Sequence, residues 1–249
     1  MAKSATTAAA KPSRRTQAER SEAMRERLVD ATLQCLVTEG YAGTTVSKIV
    51  ATAQVSRGAP VHHFPHKAAL IEAAAEKLVR HFYIELGKIM LSLEDSEDRL
   101  HKLITVGWRN LMATPHTTAL LELLVASRHE PELASVMRTL WASCYDTTQT
   151  AAEHYLEPAS PTDNVTDFMI LTQWLLRGMA EDYQLTGQHP SAAAFYDRYL
   201  GLWSSILTTH LRARPGVSTP PPRPPHWDSS LMEVRRQADS ATEDAPKDE

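Results

Sequence analysis

The chain has only two cysteines, Cys35 and Cys144, 109 positions apart. That spacing excludes a C-x-x-C metal or redox motif and fits a reducing compartment, with both thiols buried as small apolar groups. No apolar run approaches the roughly 18 residues of a membrane span. The densest, Leu120–Ala126, is interrupted by Glu122, so a soluble, cytoplasmic protein without a membrane partner is expected. No G-x-S-x-G, H-E-x-x-H, phosphate-loop or dinucleotide fingerprint occurs, and the histidines lack a partnered carboxylate at diagnostic spacing. These absences argue against an enzyme and against a cofactor. Strand patterns and internal repeats are missing too, which leaves an all-α reading.

What is present is a core and an uneven charge. Hydrophobic residues make up 43% of 249, enough for one large or two modest domains. The net charge of -4 conceals ten Lys/Arg against five Asp/Glu in residues 1–70 and sixteen against twenty-five in residues 71–249. A basic N-terminal part on an acidic body is the electrostatic footprint of one nucleic-acid-binding face.

Within the basic part, Thr45 is a good N-cap, and Val46, Ile49, Val50 and Ala53 follow at helical spacing, predicting a helix over 46–53. Gln54-Val55-Ser56 is a tight turn, Val55 plugs the corner, and Ser56 can cap a second helix. Two short helices around such a turn read as helix-turn-helix, whose second helix can enter the DNA major groove. Arg57 then falls in the first helical turn, Gly58 and Ala59 let the backbone approach closely, and His62 and His63 follow. His62, His63 and His66 also raise a zinc reading, but Pro65 breaks the helix that would have to hold His62 and His66 on one face. No metal is expected.

The stretch SRGAPVHHFPHKAAL (residues 56–70) resembles the recognition helix and junction of the TetR family of transcriptional regulators, usually worded close to SKGTLYYHFPSKEAL. The similarity extends upstream through RERLVDATLQCLVTEGYAGTTVSKIVATAQV, with its Gly40-Tyr41 stop and Thr44-Thr45 start. It implies DNA contacts from Thr45, Lys48, Ser56, Arg57, Gly58, Ala59, Val61, His62, His63 and Lys67. Three departures stand out. Gln54 replaces the usual turn glycine, Pro60 replaces an aliphatic residue, and Val61 replaces a tyrosine that commonly meets phosphate. With Ser56 as cap, Pro60 would fall at the fourth helical position and forfeit a bond, so a late or distorted start of this helix is expected.

Residues 1–16 read as a disordered basic arm, 17–66 as the DNA-binding domain and 67–212 as a helical body. Residues 213–249, with seven prolines and an acidic end, read as a disordered tail. The first helix is expected over Gln17–Thr38, a linking helix from Lys67 to Leu91, and body helices at 96–113, 116–127, 131–156, 165–185 and 191–211, about nine in all. The fold class is therefore all-α: a three-helix domain plus a C-terminal bundle.

Two features of the body bear on function. Leu171, Leu175 and Met179 on one late helix and Phe195, Tyr199, Leu202, Trp203 and Ile206 on the next form wide apolar faces. They suit either an intramolecular core or, as the resemblance implies, a four-helix homodimer interface. Trp108, Met112, Trp141, Tyr145 and Trp174, with Met137, concentrate aromatic and soft side chains near Arg128, His129, Gln173 and Arg177. They are either core or the lining of a small-molecule pocket. By the resemblance, Trp108, Met112, Trp141, Tyr145, Trp174 and Arg177 are candidate ligand contacts. The expected function is a homodimeric repressor of a two-fold-related DNA site, released by a small molecule. The alternatives are a helical ligand-binding protein without specific DNA reading and an α-helical enzyme.

Overall fold

The structure is a computed structural model that describes residues 16–92, 98–187, 189–217 and 219–222. The expected basic arm, apart from Thr16, and most of the Pro-rich tail lie outside the described residues. Helix α1 spans Gln17–Gly43 and opens on a capping box, Thr16 Oγ1 accepting from Glu19 N–H while Glu19 Oε2 accepts from Thr16 N–H. It runs past the expected stop at Thr38. Gly40, at φ 68°, breaks it without ending it, and one further turn follows. That turn is held from the body, because Tyr41 N–H donates to Glu122 Oε2 at 2.8 Å. Gly40 suits its positive φ, and a Cβ there would lie 2.8 Å from the same oxygen and push the Glu122 carboxylate aside.

Helix α2 spans Val46–Ala53, as its apolar spacing predicts, and turns Ile49, Val50 and Ala53 inward. It ends in a Schellman motif: Gln54 N–H donates to Ala51 O and Val55 N–H to Val50 O, with Gln54 left-handed at φ 54° and ψ 48°. Arg27 of α1 donates to Ala53 O at 2.6 Å, satisfying another terminal carbonyl.

Helix α3 is short, Ala59–His63. Ala59 N–H donates to Ser56 O at 3.0 Å in a turn, and Pro60, lacking an N–H, can only sit in the first helical turn. The late start expected from Pro60 is therefore observed. Two local expectations are corrected: Ser56 does not cap the helix, and Arg57 precedes it rather than occupying its first turn. Gly58 takes the cap position with no side-chain bond.

Helix α4, Lys67–Ser92, is about 39 Å long at 1.5 Å per residue and acts as the spine. His66 Nδ1 accepts Ala69 N–H at 3.2 Å near its start. Its buried face joins three apolar clusters in turn. Leu70 and Ala74 pack with Leu28, Cys35, Ile49 and Phe64, and Ile71, Ala75 and Leu78 pack with Leu36, Leu120, Leu123 and Leu140. Ile89 and Met90 then join the largest cluster, around Tyr155, Leu200 and Leu207.

The body adds α5 (Arg99–Gly107), continuing as a π-turn over Trp108–Met112, then α6 (Pro115–Ala126) and α7 (Pro131–Tyr155). Strand β1 (Leu156–Pro158), α8 (Val165–Thr186), α9 (Ala192–His210) and β2 (Leu211–Ala213) complete it. The described residues thus hold nine α-helices, with α7, α8 and α9 ending or starting within a residue of the expected bounds. The expectation of no strand is corrected, since β1 and β2 pair antiparallel with Leu156 opposite Ala213 and Pro158 opposite Leu211. The ends of α7 and α9 lie side by side, and three-residue extensions satisfy backbone groups that no helix serves, as when Arg214 N–H donates to Tyr155 O. His210 Nδ1 beside Asp163 Oδ1, at 2.9 Å, clamps the same end.

Candidate nucleic-acid interface and effector cavity

The tip of the N-terminal domain is built from exposed chain ends. Thr45 caps α2 by accepting Lys48 N–H at 3.3 Å, and the exposed Lys48 ammonium pairs with Glu39. Ser56, Arg57 and Gly58 are exposed in the turn before α3, Ala59 is half-buried at its start, and His62 is exposed while His63 is half-buried. A Cβ on Gly58 would meet no protein atom within 4 Å, so packing within the chain does not demand glycine there. Lys67 stands with its ammonium 4.7 Å from the Tyr41 ring centroid. Val61 belongs to α3, but its side chain lies outside the described residues. Beneath this surface Phe64 and Pro60 are buried, with the Arg25 guanidinium 5.2 Å from the Phe64 ring centroid. Short α3 is thus anchored at its back while His62 faces out.

A cavity of about 170 Å³ opens inside the body between α4, α5, α6, α7 and α8. Phe82, Leu86, Met90, Leu103, Ile104, Leu111 and Leu176 make most of its wall. Of the residues expected to contact a ligand, Met112, Trp141 and Arg177 line it, the Arg177 guanidinium lying 5.1 Å from the Trp141 ring centroid. Gln173 lines it too, donating to Thr148 Oγ1 at 2.6 Å. The others are placed elsewhere. Trp108 is buried in the core, stacked on Tyr196 and edge-on to Tyr183. Tyr145 is not among the lining residues and accepts the Trp141 indole N–H at 3.2 Å, one step behind the wall. Trp174 is 50% exposed on the outer face of α8. Met137 is buried in the α1–α6 junction, and Arg128 and His129 are exposed on the turn after α6.

Periodicity did not point to Tyr155. It is fully buried at the end of α7 and lines the cavity, and its hydroxyl has no hydrogen-bond partner among the described residues. Burial pushes its phenol up from the usual tyrosine range. Cys144 also lines the cavity, and burial likewise pushes its thiol up, the reverse of what a reactive thiolate needs. Cys35 is buried, with Sγ 3.5 Å from Thr52 Oγ1.

The outer faces of α8 and α9 carry large apolar side chains in the open. Leu171, Leu175, Phe195, Tyr199, Leu202 and Ile206 are exposed, Leu202 by 59%, and Trp174 joins them. Met179 and Trp203 are half-buried against the body core, with Trp203 Nε1–H donating to Thr172 Oγ1.

Residues 28–74, which hold α2, α3, the second half of α1 and the start of α4, match the family described as bacterial regulatory proteins, tetR family. Over these residues the chain is similar to the DNA-binding part of that family. Its similarity to the transcriptional regulator CymR of Pseudomonas putida is 32% identity over 130 residues, covering 52% of this chain and 64% of CymR. BetI of Burkholderia mallei is 27% identical over 119 residues, covering 47% and 61%. The chain therefore matches less than two thirds of the length of these relatives. A transcriptional regulator from Rhodococcus superposes with a TM-score of 0.59 at 18% identity, covering 75% of this chain and 97% of that one. The reduced form of Escherichia coli NemR gives 0.58 at 17%, covering 77% and 99%. A regulator from Saccharomonospora viridis, crystallised with choline, gives 0.57 at 16%, covering 77% and 99%. At these identities the structures establish the TetR-like fold: an N-terminal helix-turn-helix with a helical C-terminal body. Among the described residues, no helix is long and apolar enough to cross a membrane.

Proposed function

We propose that this chain is a homodimeric, sequence-specific DNA-binding transcriptional regulator, acting as a repressor that a small molecule releases. The observation that carries the reading is the corner at Gln54, which turns α2 into α3 and leaves Arg57 and His62 exposed at the tip of the basic third of the chain. Residues 17–66 are the reading domain and 67–212 the ligand-binding and dimerisation domain. Thr45, Ser56, Gly58, Ala59 and His63 approach the DNA backbone or base edges, and Lys48 and Lys67 supply phosphate contacts. Two copies pair through the apolar faces of α8 and α9, because one five-residue recognition helix reads too few base pairs for a specific site. The cavity holds the effector. A ligand that prefers one of two body conformations changes the separation of the recognition helices and so weakens DNA binding. No catalytic role is assigned, in keeping with relatives that are named as regulators.

Selection of bound duplexes from random DNA tests this, run beside a variant carrying Arg57→Ala and His62→Ala. Recovery of a two-fold-related motif that the variant loses supports the reading. A second reading, ligand binding without specific DNA recognition, draws on the shortness of α3 and the proline inside it. It predicts salt-dependent DNA binding with no enriched motif.

A further inference from the structure

We infer that the cavity takes a compact, chiefly apolar molecule that bears a hydrogen-bond acceptor and no positive charge, and that the Tyr155 hydroxyl donates to that acceptor. The inference deepens, and rests on, the reading of the cavity as the effector site. Size comes first. A cavity of about 170 Å³ is close to the engineered ~150 Å³ apolar cavity that holds benzene, so a single ring with a short substituent fills it.

Charge comes second. No aspartate or glutamate lines the wall, and its fully charged side chains are both cationic, Arg80 and Arg177. Arg80 pairs with Glu76 at 3.2 Å, so that carboxylate is already engaged. The face of Trp141, the tryptophan on this wall, is occupied by the Arg177 guanidinium. A quaternary ammonium would find no carboxylate counter-ion on this wall, and the two guanidiniums would repel it.

Hydrogen bonding comes third. The polar groups on the wall are largely served within the chain: Thr117 donates to Leu111 O, Thr147 to Ser143 O, and Gln173 to Thr148. The Tyr155 hydroxyl is the exception, fully buried and without a partner among the described residues. A buried donor left unpaired is costly, and a ligand that supplies an acceptor recovers that cost while a matched hydrocarbon does not.

The test is calorimetric titration of the full chain, without DNA, using two isosteric pairs. Acetophenone and α-methylstyrene differ in an acceptor; tert-butylbenzene and trimethylphenylammonium differ in charge. Acetophenone should bind about tenfold tighter than α-methylstyrene, and Tyr155→Phe should erase the difference. That variant removes only the orphan hydroxyl, so folding is preserved. Trimethylphenylammonium should bind at least about tenfold more weakly than tert-butylbenzene. Equal binding within either pair, an acceptor preference that survives Tyr155→Phe, or no binding by any probe would overturn the inference. Binding with the predicted preferences but without release of a selected duplex would leave the ligand class standing and sink the effector reading instead.

Discussion

Replacing Gln54 by glycine should stabilise the protein by about 0.5–1 kcal/mol. Gln54 is the one described non-glycine residue at positive φ, 54°, and it is the hinge between α2 and α3. The left-handed conformation costs an L-residue roughly 1–2 kcal/mol, and glycine avoids that cost. Against it stands the larger freedom that glycine loses on folding, roughly 0.5–1 kcal/mol. The exposed Gln54 side chain gives up little, and the backbone bonds that define the corner, Gln54 N–H to Ala51 O and Arg27 to Gln54 O, survive the change. For a chain of this size the gain corresponds to a melting temperature higher by about 1–4 °C. Urea melts at one fixed protein concentration should show a higher midpoint with unchanged slope. Gln54→Ala is the control, since alanine keeps the steric cost and should bring no gain. If glycine and alanine behave alike, or glycine lowers stability, the account of the corner is refuted.

Removing the acceptor that holds the end of α1, Glu122→Ala, leaves the Tyr41 N–H unpaired and should cost about 1–3 kcal/mol in the same melts; an unchanged midpoint would show that the α1–α6 link is not a support. Leu202→Asp puts a charge on the α8–α9 face and should shift sedimentation from dimer to monomer with the helical circular-dichroism signal retained. Burial, with the His81 ring stacked 3.9 Å away, holds the His116 imidazole below the usual histidine range. The unfolded chain therefore takes up a proton at about pH 6.5 that the folded chain refuses, and stability falls as pH drops from there toward the lowered folded value. His116→Phe keeps a ring against His81 and should flatten that slope in melts between about pH 7.5 and 5.5.

The elements were legible in the sequence where a cap and a periodic apolar stripe coincide, as at Thr45 with Val46–Ala53. The late start of α3 was legible as well, because a missing N–H is a property of Pro60 alone. What periodicity could not supply was the partner of each face. Trp108 and Trp174 both sit at helical spacing, yet one packs into the Tyr183–Tyr196 cluster and the other points outward on α8, and neither reaches the cavity. Tyr155 escaped notice because its importance comes from an unpaired hydroxyl, which depends on neighbours from other helices. The β1–β2 pair was hidden for a similar reason. Three-residue strands carry no alternation, and they form only because α7 and α9 end side by side.

The central claim is that two short recognition helices are held at a fixed spacing by one dimer. It is tested most directly by fluorescence anisotropy on the selected duplex, comparing the native spacing with half-sites moved apart by about 5 and about 10 base pairs. The account predicts that the half-turn insertion, which places the second half-site on the opposite face of the DNA, abolishes specific binding. The full-turn insertion should restore the face without restoring the distance. Affinity indifferent to the insertion of half a turn would mean that each copy reads DNA on its own, and would contradict the account.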